Sequence, residues 1–368
     1  MIIQMEWVYI HRHAYRALDR KLVEDVYSKH KTLLLKEGTV VTAAHIQLLF
    51  QHGISRVAVG GTASVLEQLE QKWEGRHSGF VRAYRLQYEE IKRVFAAAAE
   101  GSEIDVTACS RQFEQLAEEA LASGSMLVAL QQLQGHSDYT YRHSIHVGML
   151  SSLIARLADF PHDMVMEIGK AGLYHDIGKL RISQSIIQKP SALTKEEFQE
   201  MKRHPELGVA LLEAGGDAPG IIRDGVLEHH ERLDGSGYPQ GLKEAELSAA
   251  GLIVAVADVF DAISSDRSYQ KKSSPLRALR IVTEEIFAGK LSSRFGFPFT
   301  AQMLQLYTGA DVYLSDGRIG KIIQLAPDDL EHPLVLVGQN AFHLRGSGLS
   351  IIDFADPHVR DKKEKQES

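Results

Sequence analysis

A mainly α-helical fold is expected for this chain, with a small mixed α/β module ahead of the helices and a short β appendage behind them. Three observations predict it. From about residue 122 to 309 the text is helical almost throughout, with polar loops between amphipathic stretches. Within that span "AAGLIVAVADVFDAISS" is apolar nearly all round, as a helix buried in a bundle must be. After Gly309 the pattern changes to alternation, and "ADVYLSDGRIGKIIQL" turns at Asp316-Gly317, a hairpin signal.

Taken in order, residues 1–60 form the mixed module: "TLLLKEGTVVTAAHIQLLFQHGISRVAV" reads as a strand, a Gly turn, a helix capped by Thr42, and a strand after Gly53. His45 and His52 in it are read as helix-surface residues, and the module as regulatory or dimer-forming. "GGTAS" (Gly60–Ser64) looks like a linker, and 61–121 is a helical connector broken near "EGSEID". Its amphipathic repeats suit packing against the next domain or against a second copy of the chain. The helical domain occupies 122–309. In "LTKEEFQEMKRH" Thr194 is a cap and Glu197 completes a capping box. Residues 310–355 form the β appendage, with "HPLVLVGQN" as a further strand, and 356–368 is a charged tail without an apolar anchor.

Composition narrows the function. A chain of 368 residues with net charge −7 has no general basic face for a nucleic-acid polymer, although metal ions or a few cations can still create a local anion site. The single cysteine, Cys109, excludes a disulfide framework and a thiolate metal cage, and fits a reducing compartment. "MIIQMEWVYI" carries Glu6 and is too short for a leader or a span, and no later run reaches spanning length without charges. A soluble, cytoplasmic protein is expected.

Chemistry concentrates in the helical domain: His143 in "YTYRHSIHVG", the His175-Asp176 pair in "GLYHDIGKL", His204 in "MKRHPELG", His229-His230 in "LEHHERLDGSGYP", and Asp258 in "AVADVFDAI". Taken singly, His204 before Pro205 marks a helix start, and His229 and His230 can be solvated. Asp258, in the middle of an apolar helix, must be paired with something, and a cation is the natural partner. Neighbours on a helix diverge by about 100°, so His175 and Asp176 do not easily face one ion. They suit two adjacent ions with the carboxylate between them. Lys179 falls on the same face, which makes sense beside a cation site only if an anion such as phosphate also sits there. Five imidazoles and two carboxylates suit Fe, Mn, Ni or Zn, and paired metals activate water for phosphoryl displacement.

These residues in this order resemble the HD-GYP family, a branch of the HD metal-dependent phosphohydrolases. "HVGMLSSLIARLA", "AGLYHDIGKLRIS", "QKPSALTKEEFQEMKRHPELG", "LEHHERLDGSGYP" and "ADVFDAISSDRSY" look like its signature segments, and Gly237-Tyr238-Pro239 is the tripeptide that separates this branch. The resemblance implies a helical HD-type phosphohydrolase domain that hydrolyses cyclic di-GMP to pGpG, in some members on to GMP. It implies two divalent metal ions, Fe or Mn foremost and Zn or Ni next. His143, His175, Asp176 and Asp258 would hold one of them, and Asp176 would bridge to a second completed by His204, His229 and His230. Lys179 would contact the scissile phosphate, and Arg267 would grip a phosphate or a guanine edge. The Gly237-Tyr238-Pro239 loop would touch substrate, or signalling partner proteins, and a homodimer is a further partner state in this reading. Tyr139 stands where some members carry a glutamate for a third metal, so two metals are expected. Ser268 and Gln270 flank Tyr269 where the family has a different run, which weakens the substrate-grip assignment but not the metal set. Two rival functions stay open: a catalytically silent nucleotide receptor or adaptor, and a hydrolase of another cyclic dinucleotide or nucleotide. Complete donor positions disfavour the first.

Overall fold

The computed structural model describes residues 5–10, 17, 20–62, 78–102, 104–123, 139–189, 191–216, 219–264, 275–326 and 329–354. The described residues before 75 and after 302 make one compact unit, and those between make another.

The first unit begins with β1 (Glu6–Tyr9), β2 (Arg20–Leu22), β3 (Val26–Tyr27), β4 (Leu33–Leu35), helix α1 (Ala43–Gln51) and β5 (Arg56–Thr62). Three strands form an antiparallel sheet in the order β1–β5–β2, with Glu6 opposite Val59 and Val8 opposite Val57. Alternation places Val8, Leu22, Val57 and Val59 in a core closed by Ile46 and Leu49 of α1. Thr42 caps α1 as expected: its hydroxyl accepts from the His45 amide, and the His45 ring answers the Thr42 amide, both at 3.3 Å. His45 is therefore engaged in a cap.

The same unit contains β6 (Asp311–Leu314), β7 (Ile319–Ala326), β8 (Asp329–Val337), β9 (Asn340–His343) and β10 (Ile351–Phe354). They form one antiparallel sheet in the order β10–β6–β7–β8–β9. The β6–β7 turn falls at Asp316-Gly317, where Gly317 takes φ +85°. A Cβ at Gly317 would sit 2.6 Å from the Phe50 ring, so the turn lies against the end of α1. The N-terminal module and the β appendage, far apart in sequence, thus belong to one compact unit.

The second unit is helical: α2 (Ser78–Glu100), α3 (Thr107–Ser123), α4 (Tyr139–Leu157), α5 (His162–Tyr174), a 3-10 turn (Ile177–Arg181), α6 (Gln184–Ile187), α7 (Lys195–Met201), α8 (His204–Ala214), α9 (Gly220–Glu228), α10 (Ala249–Ser264), α11 (Pro275–Phe287) and, up to residue 302, α12 (Ser293–Tyr307). At its centre α4 is buried continuously from Arg142 to Ala155, and α10 is buried on nearly every face, as its apolar sequence requires. Close approach of α4 to α5 depends on glycine. A Cβ at Gly172 would lie 2.8 Å from the Val147 carbonyl, and one at Gly148 would lie 2.8 Å from the ring of Phe113 on α3. Helices α2 and α3, the connector of the sequence reading, therefore pack within the helical unit, where Ser110 also hydrogen-bonds the Tyr174 hydroxyl at 3.0 Å. Gly178 does the same for the 3-10 turn, since a side chain there would collide with the His204 carbonyl and the Gly208 amide. That contact brings the segment after His175-Asp176 onto the start of α8. The capping box at α7 forms as expected between Thr194 and Glu197. Among the described residues no helix is long and apolar enough to cross a membrane.

Candidate metal centre

Seven side chains from five places in the chain converge inside the helical unit. His143 comes from the first half of α4, and Asp258 from the middle of α10. His175 caps the C-terminus of α5, and Asp176 opens the 3-10 turn. The His175-Asp176 pair therefore straddles a break between two helices, which explains how neighbours turn inward together. His204 begins α8, while His229 and His230 follow α9. Six of the seven are buried, and His230 is half-buried.

The donor atoms form two groups, each with its atoms within 4.8 Å of one another: His143, His175 and Asp258 in one, and Asp176, His204, His229 and His230 in the other. Asp176 faces both. Its Oδ2 lies 3.7 Å from His143 Nε2 and 3.3 Å from His175 Nε2, and its Oδ1 lies 3.5 Å from His204 Nε2 and 3.9 Å from His229 Nε2. His143 Nε2 is 3.2 Å from Asp258 Oδ1, and the His204 and His229 Nε2 atoms are 3.2 Å apart.

Four of the five imidazoles are pinned through Nδ1. Nδ1 of His175, His204 and His229 lies 2.8 Å from the carbonyls of Gly172, Met201 and Val226, each three residues upstream. A carbonyl only accepts, so Nδ1 carries the hydrogen and Nε2 presents a lone pair to the centre. His143 is held differently: its Nδ1 meets Asp261 Oδ2 at 2.7 Å, and the other oxygen of Asp261 meets His146 Nδ1 at 3.1 Å. Orienting a ligand imidazole through its far nitrogen is the usual support around a bound metal. The residues fit a cation. Among the described residues, buried His175 Nε2 and Asp176 Oδ1 have no hydrogen-bond partner, although both are acceptors aimed inward.

The charges agree with this. Burial, then Lys179, pushes His204 down to about 4, and burial holds His229 and His230 well below the ordinary histidine value. Burial alone would raise Asp176, but His175 and Lys179 beside it keep its carboxyl well below the usual range. Asp258 is ionised in the same way, against burial, by His143 and His175. His143 is the exception: burial pushes it down, yet Tyr139 and the carboxylates of Asp258 and Asp261 raise it well above the ordinary value. Its Nδ1 faces Asp261 and its Nε2 faces Asp258, so a cation bound at Nε2 would displace the proton on that nitrogen.

Lys179, about a third exposed, donates to Asp176 Oδ2 at 2.6 Å. Tyr139 stacks on His143 with ring centroids 5.2 Å apart and 12° between planes. In the Gly237-Tyr238-Pro239 loop, Gly237 has no room for a Cβ, which would meet the His230 carbonyl at 2.5 Å. This close approach lays Tyr238 over His230, centroids 4.6 Å apart and 28° between planes, with the Tyr238 amide donating to the His230 carbonyl at 3.2 Å. Arg267 and the Ser268–Lys272 run lie outside the described residues.

Several supports were absent from the sequence reading. Asp261 lies three residues after Asp258 on the same apolar helix, so the argument that singled out Asp258 would have found it. Buried Glu231 accepts from the Gln240, Gly241 and Leu242 amides at 2.7, 3.0 and 3.1 Å and ties down the loop. Glu228 accepts from the Ser248 amide and hydroxyl at 2.8 and 2.6 Å, just before α10. Neither glutamate stands out in a loop-flanking run of charged residues. Arg142 is fully buried with no hydrogen-bond partner among the described residues, its guanidinium 5.9 Å from the Tyr139 ring centroid.

Residues 111–286 match the HD domain family. The chain is 35% identical over 247 residues to a cyclic di-GMP phosphodiesterase of Pseudomonas aeruginosa, covering 67% of this chain and 59% of that protein. It is 34% identical over 184 residues to a 3'3'-cGAMP-specific phosphodiesterase of Vibrio cholerae, covering 50% of this chain and 42% of that one. It thus spans about half the length of these curated relatives. The solved HDG"Y"P protein of Bdellovibrio bacteriovorus shares the fold, at TM-score 0.51 and 15% identity over 82% of this chain and 99% of that one.

Proposed function

We propose that this chain, whose residues 111–286 match the HD domain family, is a metal-dependent phosphodiesterase of cyclic dinucleotides. Cyclic di-GMP is the first substrate, cut to pGpG and, in a second cut, to GMP. The observation that carries this is Asp176, one carboxylate with an oxygen toward each half of a seven-donor set. His143, His175, Asp258 and Asp176 would hold one divalent ion, and His204, His229, His230 and Asp176 a second. All-nitrogen-and-oxygen donors favour Fe or Mn, and Zn or Ni accept the same set. Such ions supply Lewis acidity, lowering the pKa of water and offsetting phosphoryl charge.

The chain's own groups do the remaining work. Nε2 lone pairs of His175, His204 and His229 are presented in advance by their carbonyl-bound Nδ1 atoms, so these three imidazoles need not reorient. Lys179, part-exposed and bonded to Asp176, would stabilise the charge of a phosphate held at these donors. Tyr139 fills the place beside His143 from which a further carboxylate would come, which supports two ions rather than three. A second reading, hydrolysis of 3'3'-cGAMP, is favoured by the similarity to the Vibrio cholerae protein.

Product analysis tests the proposal. The purified chain, loaded with Mn²⁺ or anaerobically with Fe²⁺, is given cyclic di-GMP or 3'3'-cGAMP beside the Asp176→Asn variant. Linear dinucleotide or mononucleotide from the parent alone is the expected result. Intact nucleotide with both metals bound would turn the assignment toward a receptor.

A further inference from the structure

We infer that Phe198 and Lys202 form a guanine-binding subsite beside the proposed centre, with Phe198 as the stacking face and Lys202 as the reader of the base edge. This deepens the phosphodiesterase reading and presupposes it. His230 is the donor that is not fully buried, so the centre opens on its side. From His230 a ladder of rings leads outward: Tyr238 stacks on His230 at 4.6 Å, and Phe198 meets Tyr238 edge-on at 6.3 Å. At its outer end Phe198 is 44% exposed, an aromatic ring with part of its surface open to water. The Lys202 ammonium lies 5.0 Å from the Phe198 centroid and 5.3 Å from that of Tyr238.

The chemistry of that arrangement selects its ligand. A phosphodiester held at the donors has its base one ring-ladder away, where an exposed aromatic face offers stacking. Stacking alone does not choose between purines. A lysine at the rim does, because guanine presents two acceptors, O6 and N7, where adenine presents one acceptor and an N6 donor. An ammonium donates to the first pair and is repelled by the amino group of the second. Phe198 sits on α7 and Lys202 directly follows it, while the capping box of Thr194 and Glu197 secures that short helix. The subsite is therefore held in place before substrate arrives.

The test is steady-state hydrolysis by the Mn²⁺-loaded full chain of cyclic di-GMP and cyclic di-AMP, comparing the parent with Phe198→Ala, Phe198→Tyr and Lys202→Met. Phe198→Ala should raise KM for cyclic di-GMP by roughly tenfold or more, the scale of losing one stacked base, and Phe198→Tyr should restore it. Lys202→Met should lower the preference for cyclic di-GMP over cyclic di-AMP by about tenfold. A parent that hydrolyses cyclic di-GMP while Phe198→Ala leaves KM within twofold overturns the subsite and leaves the phosphodiesterase reading standing. An unchanged guanine-over-adenine ratio in Lys202→Met overturns the edge-reading role. A metal-loaded parent that cleaves none of cyclic di-GMP, cyclic di-AMP and 3'3'-cGAMP overturns the phosphodiesterase reading and the subsite with it.

Discussion

The two halves of the centre share a local device, the carbonyl three residues upstream that also orients His175, and differ in how His143 is held. On the side of His204 and His229, each imidazole is oriented by a carbonyl three residues upstream in its own segment, a local device. On the side of His143 the orienting group is Asp261, 118 residues away on another helix, and that carboxylate is shared with His146. His146 in turn reaches the Tyr84 hydroxyl of α2 at 3.4 Å. The first half needs only a helix end in the right place. The second exists only if α2, α4 and α10 have already packed. A locally pinned donor tolerates disturbance elsewhere, whereas a donor pinned by a distant carboxylate reports on the whole bundle.

The largest effect should come from the residue common to both halves. Asp176→Asn removes the negative charge the two groups share and leaves one neutral oxygen where there were two, and both metal affinities should fall by more than about a hundredfold, beyond the loss typical of a supporting residue. Metal titration with elemental analysis measures this, and one site retaining parental affinity would refute the shared role. Asp261→Asn should separate the halves. It should weaken the ion at His143, His175 and Asp258 by about ten- to a hundredfold and spare the other, read as two distinct steps in a titration. Equal loss at both would show that the halves are not independent.

A pH test sharpens the contrast further. His204 has a folded pKa of about 4 against an ordinary 6.5, so between these values the unfolded chain binds more protons than the folded one. Stability of the metal-free protein should therefore be fully present above about pH 6.5 and decline as pH falls toward 4, at up to about 1.4 kcal/mol per pH unit for that histidine. Urea titrations across this range, with His204→Gln as comparison, should show a flatter profile in the variant. The smallest effect is local: Glu231→Ala should leave the Gln240, Gly241 and Leu242 amides without their acceptor and speed their hydrogen exchange, costing the loop about 1–3 kcal/mol. Unchanged exchange at those amides would remove Glu231 from the loop's support.

Much of this was legible in the linear text because it depends on near neighbours. Thr42 and the Thr194–Glu197 box cap their helices, and Asp316-Gly317 turns its hairpin, since caps and turns are satisfied within a few residues. Asp258 could be singled out because a carboxylate in an all-apolar helix is costly wherever that helix packs. The residue types of the donor set, five imidazoles and two carboxylates without a thiolate, likewise follow from the sequence alone. Packing decided which of them meet, and how. Sequence spacing placed His175 and Asp176 on diverging faces of one helix, whereas the chain breaks between them, at a point set by Gly178 docking on α8. The roles of Asp261 and Glu231 were decided in the same way, because a hydrogen bond over 118 residues, or from a loop folding back on its own root, is formed by tertiary contact and has no period to read. The union of the N-terminal module with the distant β sheet rests on Phe50 against Gly317, a contact between segments that carry no mark of each other. Local free energies are written along the chain, and those of contact exist only once the chain has closed upon itself.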